Sequence, residues 1–206
     1  MTLPAAEEGF LRLAIDLADA AVYRGDHPFG ACVTATPAAA SGGADAADAA
    51  AGGQRVVVRA MNSVNTGTDP TGHAEANAVR ELALFIARKG APGDGVAEDH
   101  SDLFAPEAPK PVYTLYTSTE PCVMCCGAIY WSFAIDRVVY ACPEAGLAKH
   151  AGDDFLCPCR DTFARGKRPV RVEGPFLAAE AEVAHARYWP VLFAGTHAAP
   201  AAKAPE

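Results

Sequence analysis

The apolar positions of the chain change period several times, and the changes mark its elements. Over residues 5–23, Phe10, Ala14, Leu17 and Ala21 share one face, flanked by Leu11, Ile15 and Val22, which predicts an amphipathic helix. The apolar runs FGACVTA (29–35) and RVVVRAM (55–61) suit strands, and their placement on either side of one loop predicts a hairpin. That loop, 36–53, is Pro/Ala/Gly sequence with no large apolar side chain, so it supplies no core. Asp69-Pro70-Thr71-Gly72 reads as a turn into a helix, whose spacing Val79, Leu82, Ala83 and Ile86 carry to about residue 88. A second Gly/Pro-rich loop covers 90–111. VYTLYTS (112–118) predicts a strand, and Pro121 suits the first turn of a helix running through Met124, Ala128 and Ile129 to about Phe133. RVVYAC (137–142) predicts a strand, 144–151 a short helix, and PVRVE (169–173) a fifth strand after an irregular stretch. Leu177, Ala181, Ala184, Tyr188 and Val191 mark a last helix, and the Ala/Pro-rich tail from 195 is expected to be disordered.

Strands alternating with helices predict a layered α/β domain around one sheet. No repeat and no second core is visible, so residues 1–194 are expected to form a single domain. Half of the 206 residues are hydrophobic and a fifth are charged, which is globular composition. The net charge of −8 repels a polyanion at long range, so nucleic acid is not the expected partner. No run of about 18 apolar residues predicts a membrane span. The acidic opening MTLPAAEEGF does not read as a signal peptide. The seven cysteines are odd in number and clustered, which points to reduced thiols and a metal site in a cytoplasmic setting rather than to a disulfide framework.

Two segments carry the chemistry, each at the start of an expected helix: Thr71-Gly72-His73-Ala74-Glu75 and Glu120-Pro121-Cys122-Val123-Met124-Cys125. His73, Cys122 and Cys125 make three zinc ligands, leaving a fourth position for water. Zinc lowers the pKa of such a water towards about 7. Glu75, two residues after His73, can sit beside the metal without ligating it and move a proton from water to a leaving amine. Taken singly, the Cys-x-x-Cys also fits a redox pair or core cysteines, and Cys126, Cys157 or Cys159 could complete a closed structural zinc site.

The joint pattern H-x-E…P-C-x-x-C is the mark of zinc nucleobase deaminases. With HPFGA (27–31), Asn62, DPTGHAE (69–75), LYTSTEPCVMCCGAIYW (115–131) and RVVY (137–140), the chain resembles the cytidine-deaminase superfamily, in its guanine deaminase and tRNA-adenosine deaminase branch. The resemblance implies a three-layer α/β/α sandwich around one five-stranded mixed sheet, one zinc per chain on His73, Cys122 and Cys125, and Glu75 as proton shuttle. It makes Asn62 a substrate contact and the backbone N–H of Ala74 a donor to a substrate carbonyl. Phe29 would line the pocket or join the core, and Trp131 would stack on substrate or sit in a dimer interface. One of Asp153 and Asp154 would enter the pocket, the alternative being a turn aspartate. A homodimer acting on a small nucleobase, guanine first, is implied. A nucleoside, cytosine, a triazine ring, tRNA adenosine, and a non-catalytic zinc-stabilised subunit are the alternatives. The chain departs from the family at Asp26-His27, where Gly-Gly is frequent, at Gly72, where Ala is frequent, and over Phe155–Arg160. Arg160, Arg165, Lys167, Arg168 and Arg171 form a basic cluster that reads as a solvated face or a phosphate-facing patch. His27, His100, His150, His185 and His197 have no evident partner in the sequence.

Overall fold

The computed structural model describes residues 2–37, 53–91, 98–104, 110–152 and 155–196. Most of the low-complexity loop, the tail beyond 196, and Asp153 and Asp154 lie outside the described residues. The elements run α1 (Ala5–Arg24), β1 (Gly30–Thr36), β2 (Arg55–Met61), α2 (Ala74–Ala87), β3 (Val112–Thr119), α3 (Val123–Ser132), β4 (Ile135–Cys142), α4 (Glu144–Ala151), α5 (Cys159–Ala164), β5 (Arg171–Glu173) and α6 (Ala178–Thr196). The five strands form one mixed sheet in the order β2-β1-β3-β4-β5. The expected hairpin is present, with β1 antiparallel to β2 and to β3, while β3–β4 and β4–β5 are parallel.

Both faces of the sheet are covered, so its central strands read as continuous apolar runs rather than alternating ones. Successive residues still point to opposite layers. Val33, Leu115 and Val138 join Leu82 and Phe85 of α2, Ile129 of α3 and Phe163 of α5. Their neighbours Cys32, Tyr116 and Val139 face Leu11 and Ile15 of α1 and Ala181 of α6. The result is the expected three-layer sandwich with two cores. Each fully buried Leu, Ile or Val contributes roughly 1.5–3 kcal/mol.

Two glycines set how α1 meets the sheet. Gly25 ends the helix in the left-handed region (φ 98°), donating to Val22 O at 3.0 Å, while Asp26 N–H reaches back to Ala21 O at 2.9 Å. Gly30 begins β1 against the backbone of α1, where a Cβ would collide with Ala14 and Ala18. The stretch after α4, expected to be irregular, contains the short helix α5. Arg168 explains how it is anchored: its guanidinium donates to the carbonyls of Ile129, Tyr130 and Ile135 at 2.8–3.1 Å. Arg160 donates to Val172 O at 2.8 Å, and Arg171 pairs with Glu173. Three of the five members of the basic cluster are therefore spent on holding backbone and carboxylate. The last helix passes Pro190 and reaches Thr196, beyond the expected start of the tail.

Candidate active site

The two motifs meet because parallel β3 and β4 and the hairpin strand β2 present their ends to one edge of the sheet. His73 is the N-cap residue of α2 and Cys122 that of α3. Both have extended backbone, and neither uses its side chain to cap its helix, so both side chains are free to face each other. His73 Nδ1 lies 3.6 Å from Cys122 Sγ and 3.6 Å from Cys125 Sγ. Bonds of about 2.05 Å to nitrogen and about 2.3 Å to sulfur at the tetrahedral angle put the two donors about 3.6 Å apart. The three residues therefore fit one zinc ion. They are the one such group of His, Cys, Asp or Glu among the described residues.

Two helix starts add positive potential where thiolates form. Cys122 is held down to about 4, because it accepts the Cys125 thiol proton and lies beside His73. Cys125 donates that proton and is buried, so its thiol is driven upward. Cys126 turns away into the core and donates to Pro121 O at 3.4 Å. Cys157 and Cys159 stand outside the ligand group, so the closed site built from extra thiols does not form.

Glu75, in the first turn of α2, is buried beside the ligands. Thr117 of β3 donates to Glu75 Oε1 at 2.8 Å, and Glu75 Oε2 faces the Cys125 thiol at 3.4 Å. Burial raises its carboxyl above the ordinary range, and Cys122 adds to the shift. Ala74, the first residue of α2, is fully buried, and its N–H is among the first-turn donors that have no acceptor within the helix.

Asn62 follows β2 and is buried at the cleft. Its Oδ1 accepts from Val64 N–H at 3.0 Å, which leaves the amide NH2 for a ligand. A residue that sequence reasoning passed over holds this loop: Asn77 donates to Met61 O and Ser63 Oγ, each at 2.9 Å. The turn packs closely at Gly72, where a Cβ would lie 2.8 Å from Ser63 Oγ and 3.1 Å from Asp69 O. Asp26 clamps the same loop from the other side, accepting from Asn65 N–H, Thr66 N–H and the Thr66 hydroxyl at 2.8–3.0 Å.

Asn62, His73, Glu75 and Cys122 line the inner end of a cleft of about 300 Å³. Its outer wall comes from other places. Phe29 stacks parallel to His73 at 6.4 Å between centroids and tilts against Trp189 at 6.3 Å. It both lines the cleft and packs on the core, satisfying both expectations for it. Trp189 lines the cleft and donates its indole N–H to His185 Nδ1 at 3.2 Å. His185 is thereby the Nε2–H tautomer, donating to Thr119 Oγ1 at 2.8 Å. Burial pushes its imidazole down to about 4, so the ring is neutral. Trp131 is corrected as a pocket residue: it is 70% exposed and packs edge-on against Tyr130 and Phe133, outside the cleft. Helix α3 turns its Cys125 face inward, and the seventh residue after Met124 falls on the opposite, solvent side.

Glu120 and Glu144 were also missed. Glu120 accepts from Glu144 N–H at 3.0 Å and Cys159 N–H at 2.9 Å, and Glu144 accepts from Cys157 N–H at 2.7 Å. They fasten the segment carrying Phe155 and Leu156, which covers the cleft, to the metal-ligand turn. The available signal was an acid directly before Pro121-Cys122 and another directly after Pro143.

Three ligands that fit one zinc, with a buried carboxyl beside them, on a mixed-sheet α/β/α sandwich, match the class of zinc hydrolases that attack planar carbon–nitrogen centres. The zinc-binding region of cytidine and deoxycytidylate deaminases matches residues 4–142. The chain belongs to that family and is a hydrolytic, zinc-binding deaminase. It is 31% identical to a probable cytosine deaminase of Schizosaccharomyces pombe, covering 87% of this chain and 90% of that protein. It is 32% identical to a guanine deaminase of Bacillus subtilis, covering 71% and 70% respectively. A solved guanine deaminase from Nitrosomonas europaea has the same fold, with a TM-score of 0.64 at 21% identity over 92% of this chain and 86% of that one.

Proposed function

We propose that the chain deaminates a small free nucleobase, with guanine the first candidate and xanthine and ammonia the products. The observation that carries this reading is the cleft itself, which has room for one ring system between the metal ligands and Trp189. Its polar lining is rich in acceptors, with Glu75, Glu120 and Glu144, and offers donors at Asn62 and at the Ala74 backbone. Guanine presents several N–H groups to such acceptors and one carbonyl to the donors. Zinc held on His73, Cys122 and Cys125 would supply an activated water at neutral pH. Glu75 would take one proton at Oε2, while Thr117 fixes Oε1, and pass it to the ring nitrogen, then carry the second proton of the water to the amine, which leaves as ammonia as the ring carbonyl forms. The Asn62 NH2 and Ala74 N–H hold the ring in plane. Phe155, Leu156 and Trp189 exclude bulk water.

Cytosine is the second reading, favoured by the relative that covers 87% of this chain. A tRNA adenosine fits less well, since most of the basic cluster is engaged within the fold, while a nucleoside or a triazine ring stands as an alternative substrate. Asp153 or Asp154 as a further substrate contact remains part of this proposal. Ammonia release from guanine, guanosine, cytosine, adenine and an adenosine-containing stem-loop tests it. Turnover of the stem-loop alone would overturn the small-ring reading.

The face of α3 carrying Met124 and Trp131, continued by Phe133, is exposed and apolar, which supports a homodimer. Among the described residues no helix is long and apolar enough to cross a membrane. Thiol ligands are lost on oxidation, so a reducing, cytoplasmic setting suits the site.

A further inference from the structure

We infer that His27 is a specificity-determining residue of the cleft, donating a hydrogen bond from Nε2 to an acceptor atom on the far ring of a bicyclic base. The inference rests on the small-base reading above and narrows it from any aminated ring to a purine.

The His27 imidazole lines the cleft. Two contacts fix it. The ring stacks on Trp189, with centroids 5.4 Å apart and planes 20° from parallel. Its Nδ1 lies 2.9 Å from the Tyr188 hydroxyl. The Tyr188 oxygen in turn interacts with the Asn65 side chain, and Asn65 Nδ2 also donates to Gly25 O at 2.9 Å. The Tyr188 oxygen can accept from Asn65 and still give its own proton to His27 Nδ1, the arrangement this inference takes. A neutral imidazole that accepts at Nδ1 carries its proton on Nε2. Among the described residues, that N–H has no hydrogen-bond partner, and the ring that bears it faces the cleft.

Position decides what the donor reads. The Phe29 ring contacts both His73 and Trp189, with centroids 6.4 and 6.3 Å away, and His27 stacks on Trp189. This chain of ring contacts sets His27 on the Trp189 side of the cleft. When the amino-bearing carbon sits at the ligands, the carbonyl of either base lies within its six-membered ring, within reach of the Ala74 N–H. The second ring of a purine extends outward and carries an acceptor nitrogen there. Cytosine presents only hydrogens there, N1–H and C6–H, and no acceptor. An N–H donor at the outer wall therefore favours a purine and does nothing for cytosine.

The test compares the zinc-loaded parent with His27→Phe, which keeps an aromatic ring against Trp189 but removes the donor, and with Tyr188→Phe, which frees the tautomer. The expected result is a loss of about fivefold in kcat/KM for guanine with His27→Phe, the size of one neutral hydrogen bond. No loss is expected for cytosine or for 7-deazaguanine. Tyr188→Phe should give a smaller loss with the same pattern. An equal fall on every ring, or no fall on guanine, would overturn the inference. Histidine-ring ¹⁵N–¹H correlation spectra of the parent should show His27 as the Nε2–H tautomer, and an Nδ1–H pattern also overturns it. Calorimetric binding of hypoxanthine and 7-deazahypoxanthine, which have no amine to lose, separates the two claims. If the parent releases ammonia from no base, the small-base reading fails. His27 is then judged on whether His27→Phe weakens hypoxanthine about fivefold and spares its deaza analogue.

Discussion

The inner end of the cleft and its outer wall are built by different means. The inner end comes from two short segments, each the start of a helix, so that local backbone geometry aims His73, Glu75, Cys122 and Cys125 at one point. The outer wall takes single side chains from four distant stretches: His27 and Phe29, Glu144, Phe155 and Leu156, and Trp189. Chemistry is placed by contiguous sequence, while shape and selectivity are placed by packing between the chain's two ends. The difference predicts that substitutions at the inner end abolish the reaction, whereas those at the outer wall change which ring is accepted and how tightly.

The largest effect is expected from the ligands. Metal analysis should find one zinc per parent chain. His73→Ala or Cys125→Ala should lower that sharply and leave no measurable turnover, since two donors do not hold a tetrahedral site. Next comes Glu75→Gln, which should retain zinc and lower kcat by about 10²–10⁴-fold, because an amide cannot move the proton. Near-normal turnover with zinc bound would remove Glu75 from its role. At the outer wall, Trp189→Ala should raise KM roughly tenfold, about 1.4 kcal/mol of lost aromatic contact, with a smaller change in kcat.

His185 sharpens the contrast through pH. The unfolded chain protonates this ring below about pH 6.5. The folded chain excludes that proton until about pH 4. Stability is therefore constant above pH 6.5 on this account and falls by up to about 3 kcal/mol as pH drops to 4. Denaturant melts of His185→Gln should show a flatter acid limb than the parent. The smallest kinetic effect is expected from Trp131→Ser. It should leave kcat/KM for guanine within about twofold, while sedimentation shows whether the exposed face of α3 holds a dimer together.

The same division explains what was legible in the sequence. Every strand and all but one of the α-helices were foreseen, because period-two apolar runs and helical spacing are local signals. The zinc ligands and Glu75 were visible for the same reason, being fixed in spacing at helix starts. Helix α5 was not, since six residues after Pro158 offer no full apolar period. Of the two tryptophans, the one inside the conserved-looking motif was expected in the pocket, and the one from the far end of the chain took that place. His27 and His185 looked partnerless because their partners, Tyr188 and Thr119, lie 161 and 66 residues away. Glu120 and Glu144 gave only a faint signal, an acid beside each of Pro121 and Pro143, because their carboxylates serve backbone N–H groups, which no side-chain pattern announces.

The positions of the ligands have one more consequence. His73 and Cys122 open two helices that lie on the same side of the sheet, and the chain between them passes through α2, the second loop and β3. A loaded metal therefore acts as a removable cross-link across that stretch, tying α2 to α3 and leaving the opposite layer of α1 and α6 untouched. Local opening should become lopsided when the ion is withdrawn. Amide exchange would quicken first at the starts of α2 and α3, while the α1 layer, closed by its own core of Leu11, Ile15 and Tyr116, keeps its protection.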